Sequence, residues 1–312
     1  MRRAGYGEVL AEAGLGRENL ICPVFVSDRT EEALGSMQGV LATSCADVAK
    51  GIQPVADAGV PSIILFGIPS MRDAPGSLAA DKNGVIQRAV KEIKSAFGRS
   101  INVITDVCLC QYNLSGHCGL LVNNNVDNDS TIAMLAKIAV SHADAGADTV
   151  APSAMMDGQV RKIRQALDVA GHTARILSYS AKHSSSLYTP FRSAAFAKKG
   201  SSGIDKSSYQ VSYANPRQAM REMEQDIIEG ADMVMVKPGL AYLDLVRRAK
   251  ERFSVPIAVQ NVSGEYAMIK AAGKRGWIDE DEWKVSSLAS MRRAGADRII
   301  SYFALQVAGY LD

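Results

Sequence analysis

Three cysteines lie close together in one short segment of the 312-residue sequence. Cys108 and Cys110 are two residues apart, and Cys118 follows after a loop of seven residues. Side chains two apart in an extended segment point the same way, and the loop can return Cys118 towards them. Three thiolates fill three corners of a zinc tetrahedron and leave the fourth for water or substrate. The segment therefore predicts a catalytic zinc site, with three buried cysteines of no chemical role as the alternative.

Two lysines stand at the ends of apolar runs, where a charged side chain is unusual. Lys182 follows the run Ile176–Ala181, and Lys237 follows Met233–Val236. Burying an ammonium group is costly, and both burial and a second nearby cation lower the pKa of a lysine. The neutral amine that results can attack a carbonyl carbon and form a Schiff base. Two such lysines after neighbouring strands predict a Schiff-base site, whereas either one alone could equally be an ion-paired residue.

Other polar residues follow predicted strands or lie in a long loop, where they could surround the same site. They are Asp106, Arg192, Lys206, Gln210, Ser263 and Tyr302. Cations and hydroxyl groups gathered at one place suit the carboxylates of a substrate. Taken singly, each of these residues is explained as simply by a solvated surface position.

Short apolar runs alternate with longer segments of helical periodicity along the whole chain. The eight predicted strands are Asn19–Val26, Ser62–Gly67, Ile101–Cys108, Thr149–Pro152, Arg175–Ser180, Met233–Lys237, Pro256–Val262 and Arg298–Phe303. The predicted helices include Ser130–Ala145, Asp157–Ala170, Pro216–Ile228 and Leu240–Phe253. Strands that are apolar on both faces and alternate with helices are typical of parallel sheets. Eight such units predict an α/β fold, a TIM (β/α)8 barrel formed as one domain by residues 1–312, with a doubly wound open sheet as the alternative.

Two further patterns concern the connections between these elements. The tripeptide Gly-Ala-Asp occurs at 146–148, 230–232 and 295–297, each time before a predicted strand. Glycine suits the left-handed residue that ends a helix, so the repeat predicts a recurring helix-to-strand loop. The alternation breaks at Asn113–Asp129 and Lys198–Ser208. Because long loops after barrel strands tend to border the active site, we expect these two loops to do so.

The composition excludes several classes of protein. Apolar residues make up 47% of the chain, and 35 basic residues nearly balance 33 acidic ones. Without a basic stripe, the chain has no electrostatic footprint for nucleic acid or an anionic membrane. No apolar run approaches the roughly 20 residues that cross a bilayer, and the first residues lack the apolar stretch of a secretion signal. We expect a cytoplasmic protein whose partners are small molecules.

Taken together, these segments resemble the porphobilinogen synthases, also called 5-aminolevulinate dehydratases, of the type that uses catalytic zinc. The most specific segments are Asp106–Gly119, Ser178–Lys182 with Tyr188–Arg192, Glu229–Gly239 and Val262–Tyr266. The resemblance extends over most of the chain, from Leu20 to Phe303. It implies a TIM barrel that condenses two molecules of 5-aminolevulinate to porphobilinogen with loss of two waters, an early step of tetrapyrrole and haem biosynthesis.

The resemblance also implies which residues hold the two substrates. Lys237 would form a Schiff base with the substrate whose acid side chain becomes propionate, and Lys182 with the one that becomes acetate. Ser263 and Tyr302 would bind the carboxylate of the first substrate. The residues for the carboxylate of the second would be Arg192, Lys206 and Gln210.

Metal binding is the second implication of the resemblance. The ligands of a catalytic Zn²⁺ would be Cys108, Cys110 and Cys118. The ion would lie near the second substrate, where a metal can polarise a carbonyl. Asp106 would assist proton transfer or orient an amino group. Glu229 falls where many bacterial relatives bind an activating, allosteric Mg²⁺ away from the active site.

Several features depart from the family pattern. Lys206 stands where relatives usually carry arginine, which keeps the charge but loses a bidentate fork. Leu114 and Ser115 replace a more usual Ser-His pair, and His183 stands where an aromatic residue is common. The N-terminal arm, residues 1–18, is short. In relatives a longer arm wraps a neighbouring subunit and supports octamers, and a short arm weakens that support. We still expect a homo-octamer here, with a smaller assembly as the alternative.

Two other functions are compatible with parts of the pattern. An aldolase-type lyase would use Lys237 alone, with the cysteines holding a structural metal, and would survive chelation. A metal-binding scaffold without catalysis would form no covalent adduct with a keto acid. Only the asymmetric condensation needs two lysines, three thiolates and two carboxylate sites together.

Overall fold

The eight predicted strands are present and close into a barrel in the computed structural model, which describes residues 5–29, 32–195 and 205–311. The barrel strands are β1 Leu20–Ser27, β2 Ser62–Ile68, β3 Asn102–Val107, β4 Thr149–Pro152, β5 Arg175–Lys182, β6 Met233–Lys237, β7 Ile257–Asn261 and β8 Arg298–Ser301. Consecutive strands pair in parallel, and β8 pairs with β1, where Leu20 lies opposite Ile299. The TIM-barrel prediction is therefore confirmed.

Helices surround the barrel. They are α1 Tyr6–Glu12, α2 Val48–Asp57, α3 Val85–Phe97, α4 Asn128–Asp144, α5 Gln159–Val169, α6 Thr189–Ala194, α7 Pro216–Ile228, α8 Leu243–Arg252, α9 Ser263–Lys274, α10 Glu280–Ala294 and α11 Ala304–Ala308. The four named predictions correspond to α4, α5, α7 and α8, with α7 matching at both ends. Helix α8 begins later than predicted because Leu240–Tyr242 form a 3-10 turn.

Four short strands that the sequence did not predict lie in the connections after β1 and after β3. Leu41–Ser44 pairs in parallel with the outer part of β1, and Glu32–Ala33 pairs with it in turn. A hairpin of Leu120–Val122 and Asn125–Asp127 lies within the long loop after β3. Strands of two to four residues leave too little periodicity to be recognised.

Two hydrophobic layers lie on either side of the barrel wall. Inside the barrel pack residues such as Phe25, Phe66 and Leu177, whereas Ile63 and Ile176 pack between the wall and the helices. Neighbouring residues of a strand thus face opposite layers, as the two-residue period requires. Burial on both faces explains why the strands read as continuous apolar runs.

The repeated Gly-Ala-Asp tripeptide forms the predicted helix-to-strand loop three times. The φ angles of Gly146, Gly230 and Gly295 are 107°, 104° and 119°. In each repeat the aspartate accepts a hydrogen bond from a backbone N–H near the start of an adjacent strand. The pairs are Val103 with Asp148 at 2.7 Å, Ile176 with Asp232 at 2.8 Å and Ile257 with Asp297 at 2.9 Å. The motif therefore ties each helix end to the amino-terminal end of the barrel.

The short N-terminal arm lies on its own barrel from Gly5 onward. Helix α1 packs on α10, and Arg292 Nε donates a 2.7 Å hydrogen bond to the Gly14 carbonyl. The rings of Tyr6 and Tyr310 meet edge to face with centroids 5.1 Å apart. Residues 1–4 of the predicted arm and 198–204 of the predicted loop lie outside the described residues. No described helix is both long and apolar enough to span a bilayer.

His142 leads to a prediction about acid stability. His142 belongs to α4, and its ring is buried with Nδ1 3.0 Å from Thr105 Oγ1. Burial lowers the pKa of the ring from 6.5 to about 3. The folded protein keeps the ring neutral, whereas the unfolded chain binds a proton below pH 6.5. Stability is thus full above that pH and falls as the pH drops towards 3. We expect His142 to cost about 2 kcal/mol of unfolding free energy on going to about pH 5.

Replacing His142 by asparagine should remove this loss, because asparagine does not titrate and can still bond Thr105. Urea unfolding at neutral and acidic pH measures it. The control is His172→Asn, since His172 lies at the surface 2.8 Å from Asp144. An equal loss of stability on acidification in wild type and His142→Asn would contradict the prediction.

Candidate active site

The two predicted Schiff-base lysines lie side by side at the carboxyl-terminal mouth of the barrel. Lys182 is the last residue of β5, Lys237 is the last residue of β6, and the two are register partners. Both side chains are buried, with exposed fractions of 8% and 7%. Buried lysines in adjacent register positions are the arrangement that the sequence predicted.

A β-bulge in β5 turns Lys182 into the barrel. Val234 lies opposite Ser178 and Val236 lies opposite Ala181, so β5 contains one more residue than β6 over this stretch. Ser178 hydrogen-bonds to Asp226 of α7, and Ala181 packs in the outer layer. If all the residues from Ser178 to Lys182 alternated strictly, without a bulge, Lys182 would face the helix layer as Ser178 does. The bulge therefore creates the second lysine position.

Aromatic rings enclose the amine of Lys237. Its Nζ lies 5.0 Å from the ring centre of Tyr179, 5.2 Å from that of Tyr188 and 5.8 Å from that of Phe191. Burial, followed by the positive charge of Lys182, lowers the pKa of Lys237 to about 7. A large share of Lys237 is therefore the neutral, nucleophilic amine near neutral pH.

Lys182 has a more polar environment than Lys237. Its Nζ donates a 2.6 Å hydrogen bond to the Ser153 carbonyl. Burial lowers its pKa, but the negative charges of the cysteine cluster, Cys118 foremost, and of Asp106 outweigh burial and raise it overall. The pKa values of the two lysines thus move apart, as is typical of a pair with different tasks.

Asp106 is buried near the end of β3, where the charges of both Lys182 and Lys237 act on it. Burial raises its pKa, while the charge of Lys182 and a hydrogen bond with Ser153 partly oppose the shift. A carboxyl group held between a buried amine and a hydroxyl group can donate or accept a proton at the site.

The three cysteines converge on one point. Their sulfur atoms lie within 4.8 Å of one another, and those of Cys108 and Cys110 are 3.4 Å apart. Strand β3 ends at Val107, so Cys108 and Cys110 approach each other through a turn rather than in the extended segment that we expected. Hydrogen bonds from the other two thiols lower the pKa of Cys118 strongly. The surroundings of Cys118 therefore favour its thiolate form, which is the form that binds metals.

The loop around Lys206 supports the cysteine cluster from the other side. Lys206 Nζ donates a 2.7 Å hydrogen bond to the Gly116 carbonyl and lies 3.9 Å from Cys118 Sγ. The Tyr209 hydroxyl accepts a hydrogen bond from the Cys118 N–H at 3.4 Å and lies 3.2 Å from His117 Nδ1. Both long loops thus border the site, as predicted.

The remaining predicted substrate ligands have different surroundings. The Tyr302 hydroxyl and Gln210 Oε1 are buried and have no hydrogen-bond partner among the described residues. Ser263 Oγ accepts from the Phe191 N–H at 3.1 Å and donates to the Leu187 carbonyl at 3.2 Å. Polar atoms buried without partners cost free energy, so Tyr302 and Gln210 are suited to receive a polar ligand.

Arg192 and Glu229 occupy positions apart from the cysteines. The Arg192 guanidinium lies 5.5 Å from the ring centre of Tyr188, the same ring that faces Lys237. Glu229 is buried behind the barrel wall, where it accepts hydrogen bonds from Arg161 at 3.2 Å and Gln225 at 3.0 Å. A cation at Glu229 would thus share that carboxylate with Arg161.

Glu265 is a buried carboxylate that the sequence analysis missed. It is 1% exposed and accepts hydrogen bonds from the backbone N–H groups of Leu240 at 2.7 Å and Val262 at 2.8 Å. Asn261 Nδ2 donates to it as well, at 3.1 Å. Glu265 therefore connects the segment after Lys237 to the start of α9. A glutamate at N3 of a helix indicates such capping.

Replacing Glu265 by glutamine is expected to lower the unfolding free energy by about 2 kcal/mol, because the amide NH₂ cannot accept from Val262 or Asn261. Thermal unfolding measures the effect. Glu251→Gln, in an exposed ion pair with Arg247, is the matched control and should change little. Equal melting temperatures for the two variants would contradict the prediction.

The closed barrel and the chemical groups at its carboxyl-terminal mouth define a TIM-barrel enzyme. A sequence model of the family described as Delta-aminolevulinic acid dehydratase matches residues 2–310. The chain belongs to this family, and it is accordingly a lyase of tetrapyrrole biosynthesis of the porphobilinogen synthase type. The scaffold hypothesis without catalysis was therefore wrong.

Individual relatives agree with this assignment. The delta-aminolevulinic acid dehydratase of Archaeoglobus fulgidus is 48% identical, with 100% of this chain and 97% of that protein covered. The enzyme of that name from Halalkalibacterium halodurans is 42% identical over 99% of this chain and 94% of its own. A crystal structure from Toxoplasma gondii, described as delta-aminolevulinic acid dehydratase (porphobilinogen synthase) in complex with the reaction product porphobilinogen, superposes with a TM-score of 0.92. It is 39% identical, covering 95% of this chain and 85% of that chain.

Proposed function

We propose that this enzyme condenses two molecules of 5-aminolevulinate to porphobilinogen, with loss of two waters, through lysine Schiff bases and a catalytic zinc ion. The observation that carries the proposal is the register pairing of Lys182 with Lys237, which puts two buried amines side by side. An aldolase-type reaction needs only one such amine. Two carbonyl substrates held on neighbouring amines would be close enough to be joined.

Lys237 and Lys182 would each attack the ketone of one substrate. The neutral amine adds to the carbonyl carbon, and loss of one water from the adduct gives the imine. The lowered pKa of Lys237 favours this attack at neutral pH. Asp106, beside both amines, is placed to take and return the protons that these steps require.

The cysteine cluster fits a zinc ion. Tetrahedral zinc with sulfur ligands at about 2.3 Å holds those sulfurs about 3.8 Å apart, which agrees with three sulfurs within 4.8 Å of one another. Cys108, Cys110 and Cys118 would be the ligands. When bound, the metal supplies Lewis acidity at the carbonyl of the second substrate. Lys206 beside Cys118 would help neutralise the thiolate charge.

Polar and cationic side chains at the mouth would receive the substrate carboxylates. Tyr302 and Ser263 would bind the first carboxylate near Lys237, and the residues for the second would be Arg192, Lys206 and Gln210. The product-bound Toxoplasma relative supports a small-molecule site in this barrel family.

Borohydride trapping tests the proposal. Reduction converts the imine to a stable amine, which leaves the substrate permanently attached to its lysine. The protein is incubated with 5-aminolevulinate and borohydride and then digested, and mass spectrometry of the peptides identifies the modified lysine. We expect an adduct at Lys237, and porphobilinogen formation only when zinc is present. An adduct with full activity after chelation would favour the one-lysine alternative, and no adduct at either lysine would overturn the mechanism.

Further proposals concern the location, the assembly and the regulation of the enzyme. We propose a cytoplasmic homo-octamer of single-domain chains, with a smaller assembly as the alternative, and sedimentation velocity distinguishes the two assemblies.

We also propose that Glu229 binds an activating Mg²⁺. In that case Glu229→Gln should abolish stimulation by Mg²⁺ while leaving the basal rate.

A further inference from the structure

We propose that the amino-terminal end of the barrel, opposite the active-site mouth, is a second binding site, one for a small organic anion. A cavity of about 620 Å³ opens there between the first residues of the strands. Its apolar floor is the bottom layer of the inner core, formed by Ile21, Ile104, Leu177 and Met233. This cavity contains none of the active-site residues described above.

Three arginines line the cavity. Arg175 and Arg298 are the first residues of β5 and β8. Leu177 and Ile300, two positions further on, pack in the inner core, so alternation directs both arginines to the same interior side. Arg99, shortly before β3, contributes the third guanidinium. Positive charge is thus concentrated at the opening.

The three loop aspartates at this end of the barrel do not neutralise these arginines. The aspartates of the three Gly-Ala-Asp loops are bound by other cations. These pairs are Asp148 with Lys94 at 2.5 Å, Asp232 with Arg164 at 2.6 Å and Asp297 with Lys250 at 2.8 Å. Within the described ranges, Arg99, Arg175 and Arg298 have no ion pair, although Arg298 donates to the Asp297 carbonyl at 2.9 Å. Two carboxylates line the cavity, and they are those of Asp232 and Glu18.

The lining also selects the kind of ligand. Ser62, Asn102 and Thr149 place hydroxyl and amide donors among the guanidinium groups. Guanidinium groups bind carboxylates and phosphates by paired hydrogen bonds, and the apolar floor favours a hydrocarbon portion. The site therefore suits a compact organic molecule that carries carboxylate or phosphate groups on an apolar body.

Calorimetry on the full-length, zinc-loaded enzyme tests this site. The probes are benzene-1,3,5-tricarboxylate for carboxylates and phenyl phosphate for phosphates, which distinguishes the two sources of negative charge. We expect the Arg175→Met, Arg298→Met double variant to bind the better probe at least about tenfold more weakly. Glu18→Gln should strengthen binding, because it removes a negative charge from the lining.

The control is Arg217→Met with Arg248→Met, two arginines in an outer groove between α7 and α8. This control should bind like wild type. Equal binding by the Arg175 and Arg298 double variant, or no binding of either probe at millimolar concentration, would overturn the proposal. A change of assembly in that double variant, seen by sedimentation, would also overturn it, since the arginines would then serve a contact between copies.

Discussion

Lys237→Met is expected to lower kcat by about four orders of magnitude or more, because it removes the neutral amine that we propose attacks the first substrate. Methionine preserves the volume and apolar contacts against the rings of Tyr179 and Tyr188, so the barrel should remain folded. Porphobilinogen formation and borohydride trapping measure the effect. Lys250→Met, at an exposed ion pair with Asp297, is the matched control and should retain activity.

The rate of borohydride trapping at Lys237 is expected to depend on pH in a definite direction. Lys237 has a pKa of about 7, so trapping should become faster as the pH rises through 7 and should level off above it. The charge of Lys182 contributes to that low pKa. Lys182→Met should therefore shift the trapping curve of Lys237 to higher pH. An unchanged curve would show that the two amines do not interact.

Removal of the metal is expected to have the second-largest effect. Cys118→Ser should reduce porphobilinogen formation by more than about a hundredfold, because a hydroxyl group replaces the thiolate of the cluster. Trapping at Lys237 should persist, since that lysine is enclosed by aromatic rings and not by the thiols. Elemental analysis should find zinc in the wild type and little in the variant.

Cys45→Ser provides the control for this cysteine. Cys45 is buried outside the cluster, with its sulfur 3.4 Å from the Val85 carbonyl. The variant should therefore bind as much zinc as the wild type. After chelation, it should regain its activity when metal is added back. Full activity of the chelated wild type, with no zinc detected, would contradict a catalytic role for the cluster.

The strands were predictable because their residues are buried on both faces. Every barrel strand lies within two residues of its predicted range at each end, and the closing pair of β1 and β8 follows from eight equivalent units. The lysines and cysteines were predictable for a related reason. A charged or reactive side chain at the end of an apolar run contrasts with its surroundings, and that contrast is visible without coordinates.

Other parts of the site leave no such contrast. Ser153 contributes its backbone carbonyl to Lys182, and a carbonyl is present in every residue. Tyr209 and Cys118 are separated by 91 positions, so their contact depends on how two long loops fold together. Glu265 reads as an ordinary residue of the first helical turn. Contacts made by backbone groups or between distant loops therefore required the structure.

The bulge in β5 makes the position of the second amine depend on backbone pairing as well as on residue type. If the same residues of β5 paired with β6 in strict alternation, without the bulge, Lys182 would lie four positions after Ser178 and would face the helices with it, although its side chain would still be encoded. Loss of one residue between Ser178 and Lys182, by contrast, would leave the lysine facing inward, because the two residues would then be three positions apart. A lysine at this point in a related sequence therefore does not by itself indicate an inward amine, because the number of residues before it and their pairing with the next strand decide which way it faces.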